Sequence, residues 1–251
     1  MGLLSLLAPL TGGVVCFTGA GGKTSLMYRL AEEIERAGSS AICTSTEKML
    51  PPPPNYYTVV EEEVSNIERP VNIPFVIAGR KDPENSRRYV GYSPEEVDTL
   101  ANLGQSDWLL VEVGPSRGRY VMTPDAGQIK YPASTKLVIG MVGLSIINQL
   151  LDDVWVSGVD QFEKLSGLEK NARVTEEALA KVATDPNGIF RDVPAGVRRI
   201  LFLNHADTSA TRASAQAIAD LVVRGCGEDH VEGVCIGAAL SGAGVVYEYH
   251  K

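Results

Sequence analysis

One stretch near the start of the chain restricts the fold more than any other. It reads Gly19-Ala20-Gly21-Gly22-Lys23-Thr24-Ser25. The apolar run Val14-Val15-Cys16-Phe17-Thr18 precedes it, and the helix-period pattern Leu26-Met27-Tyr28-Arg29-Leu30-Ala31-Glu32-Glu33-Ile34 follows it. Apolar run, glycine turn, Lys-Thr and helix, in that order, make a phosphate cradle. Small residues let the backbone double back so that several N–H groups converge. The helix start adds partial positive charge. In such a loop Lys23 reaches the β- and γ-phosphates of a nucleotide, and the Thr24 hydroxyl ligates Mg²⁺. Gly19, Ala20, Gly21, Gly22, Lys23, Thr24 and Ser25 are therefore candidate nucleotide contacts, with Lys23 as the catalytic cation and Thr24 also as a metal ligand. The strict pattern has a glycine five residues before its Gly-Lys pair. Phe17 holds that place here, so the loop is a variant, G-x-G-G-K-T-S.

A phosphate cradle needs a carboxylate on the metal side. Asp107-Trp108-Leu109-Leu110-Val111-Glu112-Val113 reads as a buried strand ending in an acid, where a nucleotide hydrolase holds Mg²⁺ or its water. Glu112 is the candidate for that catalytic and metal-side role; the bland alternative is a solvent-facing acid at a strand end. The strand Ser40-Ala41-Ile42-Cys43-Thr44 runs into Thr44-Ser45-Thr46. Hydroxyls there, Thr44 and Thr46 above all, can contact phosphate or hydrated Mg²⁺, or they can form a hydroxyl-capped turn. Further on, Arg199-Ile200-Leu201-Phe202-Leu203 reads as a strand entering Asn204-His205-Ala206-Asp207. GTPases carry N-K-x-D at this kind of place, where the Asp reads the guanine edge and the Asn helps hold the loop. Asn204 and Asp207 are in register with it, and His205 replaces the Lys. A helix cap before Ser209 is the other reading of the same residues.

The remainder fits an α/β chain. Thr24 to Arg36 reads as a helix closed by Gly38, and Ser93-Pro94-Glu95-Glu96 opens a second that ends at Gly104. Strands are expected at Tyr57–Val60, Phe75–Gly79, Lys136–Gly143 and Val231–Ile236, and helices after Thr175 and over Ala213–Val223. Asp152 to Glu169 reads as partly helical, and Ser241-Gly242-Ala243-Gly244 as a turn. Leu3, Leu4, Leu6, Leu7 and Leu10 suit a short helix packed on the domain. The strand runs are continuously apolar, as in a parallel sheet covered on both faces. The expectation is one domain over 1–251 with a three-layer, mainly parallel P-loop fold, and with an irregular insertion over 51–94 introduced by Pro51–Pro54. The basic pairs Arg80-Lys81 and Arg87-Arg88, and Arg117 with Arg119, read as surface charge or as anion contacts.

Composition excludes some classes. A net charge of −8 argues against a nucleic-acid binder. Cys16, Cys43, Cys226 and Cys235 stand apart with no C-x-x-C pair, which suits buried thiols in a reduced, cytoplasmic setting. The first ten residues lack the basic start and cleavage site of a leader, and no run reaches the length of a membrane span.

The order of motifs resembles the YqeC family, accessory proteins of selenium-dependent molybdenum hydroxylases. The matching blocks are V-x-F-x-G-A-G-G-K-T-S with L-M-Y-R-L-A-E-E, T-S-T-E-K-M-L-P, L-L-V-E-V with S-R-G-R, V-I-G-M-V-G-L and F-L-N-H-A-D. The resemblance implies a P-loop protein that binds ATP or GTP with Mg²⁺. It also implies a molybdenum hydroxylase or its cofactor-maturation proteins as partners. Glu112 falls on the acid of an E-A-D-G block, and Asn204 and Asp207 fall on N-K-A-D. The chain departs from the family at three polar positions around the expected site: Gly114 stands where E-A-D-G has its Asp, Met122 where R-P-L-K has its Lys, and His205 where N-K-A-D has its Lys. Losing a metal-side carboxylate slows hydrolysis more than it weakens phosphate binding. A nucleotide-binding scaffold without chemistry is therefore an alternative. A small-molecule kinase or ligase is another, because G-x-x-G-K-T also resembles the loop of Mur-type ligases. Its acceptor would lie against residues 80–92 or 114–125.

Overall fold

The computed structural model describes residues 2–70, 73, 75–115, 118–225, 231–239 and 245–250. Ser116, Arg117, Cys226, the Ser241–Gly244 stretch and the side chain of Arg87 lie outside the described residues. In chain order the strands are β1 (Gly13–Gly19), β2 (Ala41–Ser45), β3 (Lys48–Met49), β4 (Thr58–Val60), β5 (Phe75–Asp82), β6 (Asn85–Val90), β7 (Trp108–Glu112), β8 (Val121–Met122), β9 (Thr135–Gly143), β10 (Val156–Ser157), β11 (Arg198–Asn204), β12 (Gly233–Gly237) and β13 (Val245–His250). The α-helices are α1 (Lys23–Arg36), α2 (Pro94–Asn102), α3 (Val159–Ser166), α4 (Glu176–Thr184) and α5 (Ser209–Gly225).

The main sheet has the order β13-β12-β11-β9-β1-β7-β2-β5-β6-β3, with β4 beside β5. From β12 to β5 the neighbours are parallel; β13, β6 and β3 add antiparallel edges. The continuous apolar runs are explained by what covers each face. Successive strand residues point to opposite faces. Val14 and Cys16 of β1 join one core with Leu109 and Val111 of β7 and Leu201 and Leu203 of β11. Val15 and Phe17 join the other with Leu110, Ile139 and Phe202. The first core is roofed by Val97 and Leu100 of α2, Leu179 of α4 and Ile218 and Val222 of α5. The second is roofed by Leu26, Leu30 and Ile34 of α1, together with Leu3, Leu6 and Leu7 of an N-terminal 3₁₀ turn. Each such side chain contributes roughly 1.5–3 kcal/mol by leaving water. The result is a three-layer α/β fold with a mainly parallel sheet.

Local signals account for the helix starts. Ser93 and Glu96 close a reciprocal capping box behind Pro94, and the Thr175 hydroxyl accepts from Ala178 N–H. The segment from residue 51 is partly absorbed into the sheet, because β5 pairs with β2 and β4 with β5. β6 and β13 were not legible as strands: β13 is an edge, β6 is followed only by the two-residue β3, and neither is an uninterrupted apolar run.

Cys16, Cys43 and Cys235 are buried. Burial pushes the Cys16 thiol up to about 12, against the pull of its contact with Thr135, and raises Cys43 as well. Thiol and not thiolate is the neutral-pH state of Cys16 and Cys43, so both are inert. In a Cys226→Ser background, an aromatic disulfide reagent is expected to label them about 100-fold more slowly in the folded than in the unfolded protein. Comparable rates would show that the core is open. The pH dependence has the same origin. Between the ordinary thiol value and the raised one, only the unfolded state ionises, so the Cys16 contribution is intact at neutral pH and is lost as pH rises through that window.

Candidate functional site

β1 lies mid-sheet, between β9 and β7. The chain leaves β1 for β2 on one side and later crosses to β9 on the other, so the C-terminal end of β1 opens where the connections diverge. That is where open α/β sheets bind ligands. β1 ends at Gly19 and α1 begins at Lys23, leaving Ala20, Gly21 and Gly22 as the turn. Gly22 takes the N-cap place at φ 119°, and no side chain caps the helix. The first N–H groups of a helix lack intrahelical acceptors, so α1 presents them to the crevice. Gly21, at φ 91°, packs so tightly on Gly143 of β9 that any Cβ would collide with that backbone. A Cβ on Gly22 would strike the Asn204 amide. The glycines of the turn thus answer to close approach as well as to backbone angle.

Lys23 is only 2% exposed. Its Nζ donates to the Val113 carbonyl at 3.0 Å and also to the Gly114 carbonyl, and lies 3.8 Å from Glu112 Oε1. Burial holds its pKa below the ordinary lysine value, although Glu112 and Glu47 pull the other way. Thr24 Oγ1 donates to Glu112 Oε2 at 2.5 Å. The Glu112 backbone is pinned in turn: its carbonyl accepts from Thr46 N–H at 2.9 Å and from Ser45 Oγ at 3.0 Å. The structure therefore brings Lys23, Thr24, Glu112 and Thr46 together. Thr44 is buried inside β2, and the Ser45 hydroxyl also accepts from Glu47 N–H in a local turn. Ser25 follows Thr24 in the first turn of α1 and is half-buried.

Thr24 and Glu112 offer hard oxygens. Among the described residues, no three His, Cys, Asp or Glu side chains gather into a cage. Mg²⁺ is commonly held through one or two protein oxygens plus phosphate and water, so this pair, set against an uncapped helix start, fits Mg²⁺ bound with a nucleotide.

On the other side of β1, the Asn204 amide donates to the Gly21 carbonyl at 2.7 Å, and its Oδ1 accepts from Ala239 N–H at 2.9 Å. Asp207 is exposed. The cap of α5 belongs to Thr208, whose Oγ1 accepts from Thr211 N–H at 3.1 Å. His205 stands at φ 67°, its Nδ1 3.0 Å from Ser145 Oγ and its ring edge-on to Tyr120, which stacks on Trp155. Burial lowers the His205 pKa, with Asp207 opposing.

Sequence reasoning missed Tyr120, Gly143 and Ser145. They act through packing and backbone contact, such as Gly143 N–H donating to the Tyr120 carbonyl at 2.8 Å. Met122, at the position where a family Lys was expected, is buried in the core with Ile129. A cavity of about 660 Å³ opens beside Thr24 and Glu112 on the β2 side, away from Asn204 and Asp207.

A family model described as YqeC protein matches residues 15–160. The chain belongs to the YqeC family. The matched segment spans the cradle, Thr44, Thr46 and Glu112, and ends before Asn204. The chain is also similar to a protein of Escherichia coli (strain K12) described as "Uncharacterized protein YqeC". The two are 29% identical over 192 residues, covering 76% of this chain and 75% of that protein. Among the described residues of this YqeC-family chain, no helix is long and apolar enough to cross a membrane.

Proposed function

We propose that this YqeC-family chain binds a nucleoside triphosphate, ATP or GTP, with Mg²⁺ and turns it over slowly, in the service of molybdenum-hydroxylase maturation. The observation that carries the nucleotide reading is the 2.5 Å contact between Thr24 Oγ1 and the Glu112 carboxylate beside the uncapped start of α1. In that reading the N–H groups of α1 cradle phosphate, and Lys23 leaves its two carbonyls to meet the terminal phosphates. Thr24 and Glu112 hold Mg²⁺, Asn204 fixes the loop, and Asp207 faces the base. The bound metal would supply charge neutralisation at the transferring phosphoryl group.

Slow turnover follows from Gly114. Where the family block has an Asp, this chain offers only a backbone carbonyl, and that carbonyl already engages Lys23. The placement in hydroxylase maturation rests on the motif resemblance and on family membership.

Calorimetric titration with ATP and GTP, with and without Mg²⁺, tests the proposal. Wild type is expected to bind more tightly with Mg²⁺. Glu112→Gln is expected to keep binding while losing most of that metal enhancement, since an amide can still accept from Thr24 but carries no charge. Metal enhancement of equal size in the two proteins would remove Glu112 from the metal side.

A further inference from the structure

The 660 Å³ cavity beside the metal pair is of the size that holds small molecules. None of Gly19 to Lys23 lines it, and neither does Asn204 or Asp207. Thr24 and Glu112 line one part and Glu47 and Lys48 another; Tyr28, one turn further along α1, and Met49 of β3 supply apolar surface; Arg88 of β6 lies on the lining too. Tyr28 is braced by an edge-to-face contact with Tyr56 at 5.3 Å.

The charge of Arg88 is what separates this cavity from a surface hollow. Its basic neighbours are committed elsewhere. Lys48 pairs with Glu84 at 2.6 Å and Asp82 at 3.3 Å, Arg80 pairs with Glu96 at 2.6 Å, and Lys81 donates to Tyr89 Oη at 2.7 Å. Arg88 helps to depress the Asp82 pKa but forms no ion pair with any described residue. A guanidinium presents a planar fork of donors matched to a carboxylate or phosphate.

We infer that this cavity binds a small organic anion alongside the nucleotide, with its carboxylate or phosphate gripped by Arg88 and its body over Tyr28 and Met49. The inference deepens the nucleotide reading and rests on it for what faces the ligand at the Thr24–Glu112 wall. The Arg88 contact itself does not depend on that reading.

The test is a heteronuclear NMR titration of the Arg88 Nε–H with inorganic phosphate and, separately, malonate. Each is run on the full chain, without nucleotide and then saturated with Mg²⁺ and a non-hydrolysable ATP or GTP analogue. A saturable shift at millimolar probe is expected, with phosphate or malonate favoured according to which anion the site takes. Arg88→Gln is followed on neighbouring backbone amides. It is expected to weaken probe binding by at least about tenfold while leaving analogue affinity within about twofold. No saturable shift with either probe, or an undiminished response in Arg88→Gln, overturns the inference. So does a tenfold loss of analogue affinity in that variant, because the cavity would then be the nucleotide's own berth. If the analogue fails to bind wild type, the nucleotide reading falls, and the titration without nucleotide still decides the Arg88 site.

Discussion

Lys23→Ala is expected to bind Mg²⁺-nucleotide at least about 30-fold more weakly than wild type, because truncating one partner of a buried, charge-assisted contact removes about 2–5 kcal/mol. Lys23 rests in an enclosure made of the Val113 and Gly114 carbonyls and the Glu112 carboxylate. A phosphate entering the turn presents stronger acceptors than two carbonyls, so the cation transfers to it and the residues after Glu112 lose their tether. Calorimetry on both proteins measures the effect. Equal affinities would place the nucleotide elsewhere or nowhere.

The burial of Lys23 carries a second signature. A lysine held below its ordinary pKa sheds its proton in the folded state while the unfolded state retains it. Stability therefore rises with pH through the interval between the depressed value and the ordinary one. The stability difference between wild type and Lys23→Met should rise across that interval, and the subtraction cancels the opposite, alkaline losses of the buried thiols. A flat difference would mean that Lys23 is solvated in the folded protein.

How much of this was legible beforehand depended on the range of each interaction. The β1–turn–α1 unit is local: an apolar run, three glycines in four residues, and a helix-period pattern with Leu26, Leu30 and Ile34 on one face. The interior strands were legible because both faces of the sheet are covered, so Val14 and Val15 or Leu109 and Leu110 are all apolar while feeding opposite cores. β6 was not legible. Asn85-Ser86-Arg87-Arg88 carries no apolar run, and the strand exists because β5 offers an unpaired edge and Asp82 accepts from Glu84 N–H in the turn. At the site, Lys23, Thr24 and Glu112 stand out in the sequence by residue type, and the fold sets them side by side. Their backbone partners do not stand out, because carbonyls of Val113 and Gly114 look like any others until the chain is folded. The Asn204 contact to Gly21 spans 183 positions; N-x-x-D hinted at the residue but not at Ala239 on its other side.

That double contact yields the sharpest structural prediction. Asn204 is 1% exposed, and its amide bridges the turn before α1 and the chain after β12. Asn204→Ala leaves the Gly21 carbonyl and the Ala239 N–H buried without partners, at about 1–3 kcal/mol each, so unfolding free energy is expected to fall by about 2–5 kcal/mol. Asn204→Asp keeps an acceptor for Ala239 but sets a carboxylate oxygen against the Gly21 carbonyl, so it should fare no better. Exposed Asp207 gives the contrast: Asp207→Ala should change stability by less than about 0.5 kcal/mol yet reduce any preference for GTP over ATP. Denaturant unfolding of the three variants, with paired ATP and GTP titrations of the third, separates the roles. If Asn204→Ala is as stable as wild type, the amide does not hold the turn and the glycines alone shape it. If Asp207→Ala leaves the GTP-to-ATP ratio where it was, the base is read by other groups, and the N-H-A-D segment serves the cradle through Asn204 alone.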